Sequence, residues 1–161
     1  MMAREKREKG KYVDGPFIPL TLGVKQSDAW DSLSMQARLI YLELRGKLAK
    51  DPRENNGRVH LSTRDAARAV GLKKADTAAS AFRELQARGF IVVTRLGSLG
   101  SEGYGKATEY RITECGTRDA YEGTKDFLRW QPGHDFVVQR GKAPTRPKAR
   151  PKVVAIDGRR T

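Results

Sequence analysis

Trp30, Leu33, Ala37, Ile40, Leu44 and Leu48 follow one another at spacings of three and four, the stripe of one buried helix face. Ser27 and Ser34 both suit a helix N-cap, and Gly46 weakens the last turn before the loop DPRENNG, Asp51 to Gly57. The pattern predicts a helix over about 28–49 with a break near Ser34. Before it, FIPLTLGV (Phe17 to Val24) is apolar but holds Pro19, so an extended segment laid on the core is expected rather than a central strand. Val59 and Leu61 then alternate with Arg58 and His60 as a short half-buried strand does. Ser62 caps the next helix, and Asp65 three residues on resembles a capping box with Asp in place of Glu. That helix stops at Gly71. The following one runs from Ala75 or Asp76 to Arg88, with Ala78, Ala81, Phe82 and Leu85 turned inward, and Gly89 ends it. Phe90 to Val93 begins a strand. Leu96 to Lys106, with glycines at 97, 100, 103 and 105, is a loop, and Thr108, Tyr110 and Ile112 alternate with Glu109 and Arg111 in a two-sided strand.

The expected fold class is therefore α+β: a three-helix core, a small antiparallel sheet, a glycine-rich wing between its last two strands, and a basic C-terminal tail. Residues 1–15 read as a charged mobile arm and 16–113 as the domain. Residues 114–138 read as an extension packing on that domain or on a dimer partner, and 139–161 as a disordered, proline-spaced tail. Within the extension Thr124 can cap a short helix that sets Phe127 and Trp130 three apart, although Gly116, Gly123, Pro132 and Gly133 break the region up. VVAI, 153–156, is the one apolar run of the tail.

Charge narrows the class of partner. Lys and Arg total 32 against 19 Asp and Glu, a net +13. More than half of that excess lies in 139–161, where eight basic side chains face one acid, so the domain itself is only mildly basic. Cys115 is the single cysteine, which excludes an intramolecular disulfide and a cysteine-based zinc site and fits a reducing cytoplasm. No apolar run approaches the ~20 residues of a membrane span, and the charged start MMAREKREKGKY lacks the apolar core of a secretory signal. A cytoplasmic protein without a membrane partner is expected.

The helix after the turn carries the sharpest candidate chemistry. Lys73 and Lys74 sit in the turn, and Thr77, Ser80 and Arg83 face away from Phe82 and Leu85. Short polar side chains let a helix backbone approach base edges in a major groove, and Arg83 can clamp a guanine or a phosphate. Ser62, Thr63 and Arg64, at the start of the preceding helix, join the DNA-contacting set. In the wing, Arg95, Ser98, Ser101, Tyr104 and Lys106 can follow the neighbouring backbone, with Glu102 opposing them. Arg140, Lys142, Arg146, Lys148, Arg150 and Lys152 recur between prolines and supply salt-dependent, sequence-independent attraction to phosphates. The plainer account of each group is a solvated helix face, a loose hairpin tip and a solubility tail.

Other chemistry is thin. GSEGYGK, Gly100 to Lys106, has the spacing of a phosphate-binding loop, but Ala107 replaces the Ser or Thr that binds magnesium and a strand follows instead of a helix. His60 and His134 lack partners in the sequence, no carboxylate pair sits in an apolar surround, and nothing flanks Cys115 to activate it. No metal, no cofactor and no enzymatic activity are expected.

At AWDSLSMQARLIYLEL, LSTRDAARAVGL, SAFRELQARGFI and ATEYRIT the chain resembles the winged helix–turn–helix superfamily, over about Phe17 to Thr113. More narrowly it is similar to DNA-binding domains of phage and plasmid replication proteins. That resemblance implies binding to double-stranded DNA at origins or operators, often as a homodimer, in replication, transcription regulation or recombination. The turn GLKKAD is about a residue longer than is common, which leaves the helix register open by one position. Nothing after Thr113 resembles a helicase-loader or nuclease domain. Two rivals explain the charge differently: a basic RNA-binding or ribosome-associated protein, which would expose aromatics for base stacking, and a protein-interaction module whose tail recruits a partner.

Overall fold

The computed structural model describes residues 15–98 and 105–140. Its helices begin where a serine or threonine hydroxyl can accept an orphan amide. Thr21 caps α1 (Leu22–Lys25), Ser27 caps α2 (Asp28–Asp31), Ser34 caps α3 (Met35–Gly46) and Ser62 caps α4 (Thr63–Ala69). The last long helix, α5 (Ala75–Ala87), starts after Lys74 without a side-chain cap.

The stripe expected over 28–49, with a break near Ser34, is thus two helices that part there. Ser34 is extended, and its amide and hydroxyl both donate to the Glu84 carboxylate of α5, at 2.6 and 2.7 Å. α3 also ends early, at Gly46. Beyond it Asn55 takes over the backbone, accepting from the Ala49 amide and donating to the Lys47 carbonyl at 2.9 Å each. The segment Phe17 to Val24 departs from the extended arrangement too. Thr21 turns it into α1, only Leu20 and Val24 reach the core, and Phe17, Ile18 and Leu22 stay exposed.

Three strands form one antiparallel sheet in the order β1-β3-β2: β1 (Val59–His60), β2 (Ile91–Arg95) and β3 (Glu109–Ile112). Tyr110 pairs with Val59 on one side and Val93 on the other, and the β2–β3 register slips between Val93 and Arg95. Strand alternation turns Tyr110 and Ile112 inward and leaves Glu109 and Arg111 half-exposed. Phe82 of α5 stacks on Tyr110 with ring centroids 5.1 Å apart. Trp30, Tyr41 and Phe90 meet edge to face at 5.3–5.9 Å in the centre of the core.

After β3 the chain returns over the domain. Phe127 stacks on Phe90 at 5.0 Å, and it and Trp130 are buried within their own chain. Thr124 does not cap there. Lys125 enters the left-handed region, with φ +49°, and a single 3-10 turn, Asp126–Arg129, follows. Gly123 lies so close to the carbonyls of Thr113 and Glu114 that the chain is already turning before Thr124 can start a helix.

A buried polar knot ties this return to the first half of the chain. Asn56 donates to the carbonyls of Ile112, Cys115 and Gly116 and accepts from the Ile112 amide, all within 2.8–3.0 Å. Glu114 accepts from the Tyr41 hydroxyl at 2.6 Å and lies 3.3 Å from Arg45, whose guanidinium also reaches Cys115. Burial is the first cause that pushes Tyr41 well above the usual phenol range, with the Glu114 carboxylate adding to it.

Candidate nucleic-acid interface

α4 and α5 meet across the turn Val70–Lys74, and both helices stop by the same device. Gly71 and Gly89 take positive φ, +72° and +78°. In each case the glycine amide and the next one fold back on the last turn: Gly71 to Arg68 and Leu72 to Ala67, Gly89 to Gln86 and Phe90 to Leu85. The first stop aims α5 away from α4. The second sends the chain straight into β2.

Along α5, Ala78, Ala81, Phe82 and Leu85 are buried as expected. The opposite stripe, at helical spacings of four and three, is Asp76, Ser80 and Arg83, and Ala87 continues it. Lys73, Lys74, Thr77 and Ser80 are exposed and Arg83 is half-exposed, its guanidinium donating to the Ser80 hydroxyl at 2.8 Å. Thr77 sits to one side of the stripe, toward Glu84. The C-terminal end of the helix is covered: Phe136 donates to the Ala87 carbonyl and Gln139 to the Gln86 side chain, both at 2.9 Å. At the N-terminal half, by contrast, Lys73, Lys74, Asp76, Thr77 and Ser80 are all exposed.

Asp76 is the member of this face that the sequence reading passed over. Its place one turn before Ser80 is legible in the spacing. There it favours the N-terminus of α5, and among base edges it suits the cytosine amino group.

The other expected contacts divide. Ser62 has its hydroxyl engaged, accepting from the Asp65 amide at 3.1 Å and donating to the Asp65 carboxylate at 2.7 Å. Asp65 also holds Arg68 at 3.3 Å, so an acid stands at the start of α4 beside half-exposed Thr63 and exposed Arg64. Arg95 is ion-paired with Glu109 across the sheet. Ser98 and Lys106 close the base of the wing through a pair of backbone hydrogen bonds of 3.0 and 2.9 Å. Gly97 is required there, because a Cβ would stand 2.7 Å from the Lys106 carbonyl oxygen. Ser101 and Tyr104 lie outside the described residues, as do Gly100, Glu102, the arm 1–14 and the tail cations Lys142, Arg146, Lys148, Arg150 and Lys152. Arg140 is exposed one residue after Gln139 is pinned to α5, which roots the tail beside this helix.

His60 and His134 are exposed, and among the described residues no group of three or more His, Cys, Asp and Glu could hold a metal ion. Burial pushes the Cys115 thiol up, and this outweighs the opposing pull of Arg45. Among the described residues no helix is long and apolar enough to cross a membrane. Comparison with protein-family models, curated proteins and solved structures finds no match for this chain.

Proposed function

We propose that the chain is a winged helix–turn–helix protein of the cytoplasm that binds double-stranded DNA through α5, without enzymatic activity. One observation carries this: α5 is anchored along one side and at its C-terminal end, while Lys73, Lys74, Thr77 and Ser80 are exposed and Arg83, half-exposed, donates within the helix to Ser80. A rod held in that way can enter a major groove N-terminus first, where its short side chains meet base edges. The β2–β3 hairpin, closed at Ser98 and Lys106, is the wing that lies along the adjacent backbone. The tail, rooted next to α5, adds charge-driven attraction. Arg95 is held by Glu109 and Ser62 by Asp65, which weakens both Arg95 and Ser62 as phosphate ligands, so the turn lysines and α5 carry most of the contact.

Exchange of Lys73, Lys74 and Arg83 for Ala tests the proposal. Each lost phosphate contact lowers the salt slope by about 0.9, and a lost bidentate base contact costs ~1–3 kcal/mol. Selection of bound duplexes from a random pool, followed by anisotropy titration of the triple variant, should show at least tenfold weaker binding. Unchanged affinity for the selected duplex would move the function to another surface. Against an RNA-binding sheet, the aromatics at the sheet, Phe90 and Tyr110, are both buried and offer no stacking face there.

A further inference from the structure

The sheet has a second charged surface, on the side away from α5. Tyr110 faces α5 through its stack on Phe82, so its neighbour Arg111 points to the opposite side of β3. There Arg58, Arg111 and Arg118 line one cleft of about 340 Å³, with Thr94 on its wall. Arg58 is steadied by donating to the Glu54 carbonyl at 2.8 Å. Among the described residues no carboxylate lies within 4.0 Å of any of these three guanidiniums. The two acids on the rim, Glu54 and Asp119, are exposed and leave the cleft positive. Three like charges converging without partners repel one another, and an anion with several oxygens relieves that repulsion.

Arg53 joins this cleft to a second one of about 300 Å³ that takes in Tyr121. Asp51 holds Arg53 at 2.7 Å, and the guanidinium lies 4.8 Å from the centre of the Tyr121 ring. Tyr121 is 80% exposed, the most open aromatic among the described residues. Its loop is stiff: Thr117 donates to the Ala120 carbonyl at 2.7 Å, and Gly116 sits where a Cβ would come 2.1 Å from the Tyr121 carbonyl oxygen. The ring is therefore held out in solvent with one side on Arg53.

We infer that this face binds single-stranded nucleic acid, a base stacking on Tyr121 and the backbone phosphates crossing Arg58, Arg111 and Arg118. A fixed exposed aromatic beside a positive track is the arrangement that holds unpaired bases without reading their sequence. A duplex keeps its bases stacked on each other and cannot use the tyrosine. The surface is separate from the α5 face, and its residues do not overlap those of the duplex proposal.

The test uses the full chain and a fluorescein-labelled oligothymidylate, titrated by anisotropy at several salt concentrations. Tyr121→Ala should weaken binding roughly tenfold with an unchanged melting curve, and Tyr121→Phe should restore it. Exchange of Arg58, Arg111 and Arg118 for Ala should weaken it further and lower the salt slope by about two. The Lys73, Lys74 and Arg83 variant should bind the oligonucleotide as the parent does, so the two proposals fall on different variants. Parent-like binding by both the Tyr121→Ala and the arginine variants would assign single-strand binding to the tail and overturn the inference. A neutral Tyr121→Ala, with the arginine variant weakened equally for duplex and single strand, would reduce the site to an unselective charged patch and overturn it as well.

Discussion

The ends of α4 and α5 use the same local geometry in opposite surroundings. Gly71 and Gly89 both sit in the left-handed region and both close the last turn with the same pair of amide contacts. Around Gly71 a Cβ would meet nothing within 4 Å. At Gly89 it would meet the Phe136 ring at 2.7 Å and the backbone of Asp126 and Phe127 at 2.9 Å. One stop is only a turn, and the other is also the seat of the C-terminal extension. That difference explains why α5 is free at its N-terminal half and fixed at its other end.

Removing the roof breaks the comparison most severely. Phe127→Ala deletes the ring stacked on Phe90 and should cost about 4 kcal/mol, read from the denaturant midpoint at constant slope. Gly89→Ala adds backbone crowding to the left-handed penalty, and on the order of 3 kcal/mol is expected. Limited proteolysis should then cut within 126–139 before it cuts elsewhere in the described domain.

Alkaline pH loosens the core on which α5 packs, where Tyr110 stacks on Phe82. Burial pushes the Tyr110 phenol up to about 12, and burial likewise raises Tyr41. Both groups are protonated in the fold and ionise near 10 when unfolded. Their contribution is therefore complete below pH 10 and is lost as pH rises toward 12. Stability should fall by ~2 kcal/mol from Tyr110 alone across that window, with Tyr41 adding to it, as followed by tyrosinate absorbance, and Tyr110→Phe should make the fall shallower. Gly71→Ala should cost least, about 1 kcal/mol, because only the backbone conformation objects. Equal losses at Gly71 and Gly89 would mean that the extension adds nothing to the end of α5.

The helix starts at Ser34 and Ser62 and the stops at Gly71 and Gly89 were legible because each depends on a few adjacent residues. Ser34 and Ser62 bring their own acceptor to an orphan amide, and Gly71 and Gly89 admit a φ that other residues resist. The inward set Ala78, Ala81, Phe82 and Leu85 was legible from spacing alone. The extension was not. Lys125 in place of Thr124, the stack of Phe127 on Phe90 and the hold of Asn56 on Ile112, Cys115 and Gly116 all join residues distant in the chain. No local periodicity marks such contacts.

The candidate site divides along the same line. Lys73, Lys74, Thr77, Ser80 and Arg83 could be named from composition and helical spacing, and Asp76 could have been named with them. That Arg95 is matched by Glu109 and Ser62 by Asp65 depends on strand register and cap geometry. That Arg58, Arg111 and Arg118 share one cleft depends on the sheet and its return loop.

Sequence alone determined the helix starts at Ser34 and Ser62, the stops at Gly71 and Gly89, the polar and apolar sides of α5 and the placing of more than half of the net charge in the tail, since backbone propensity and side-chain spacing act within a turn or two of chain. Tertiary structure decided which side chains remain free to meet a ligand. Pairing and covering are settled by segments that come together only when the core closes.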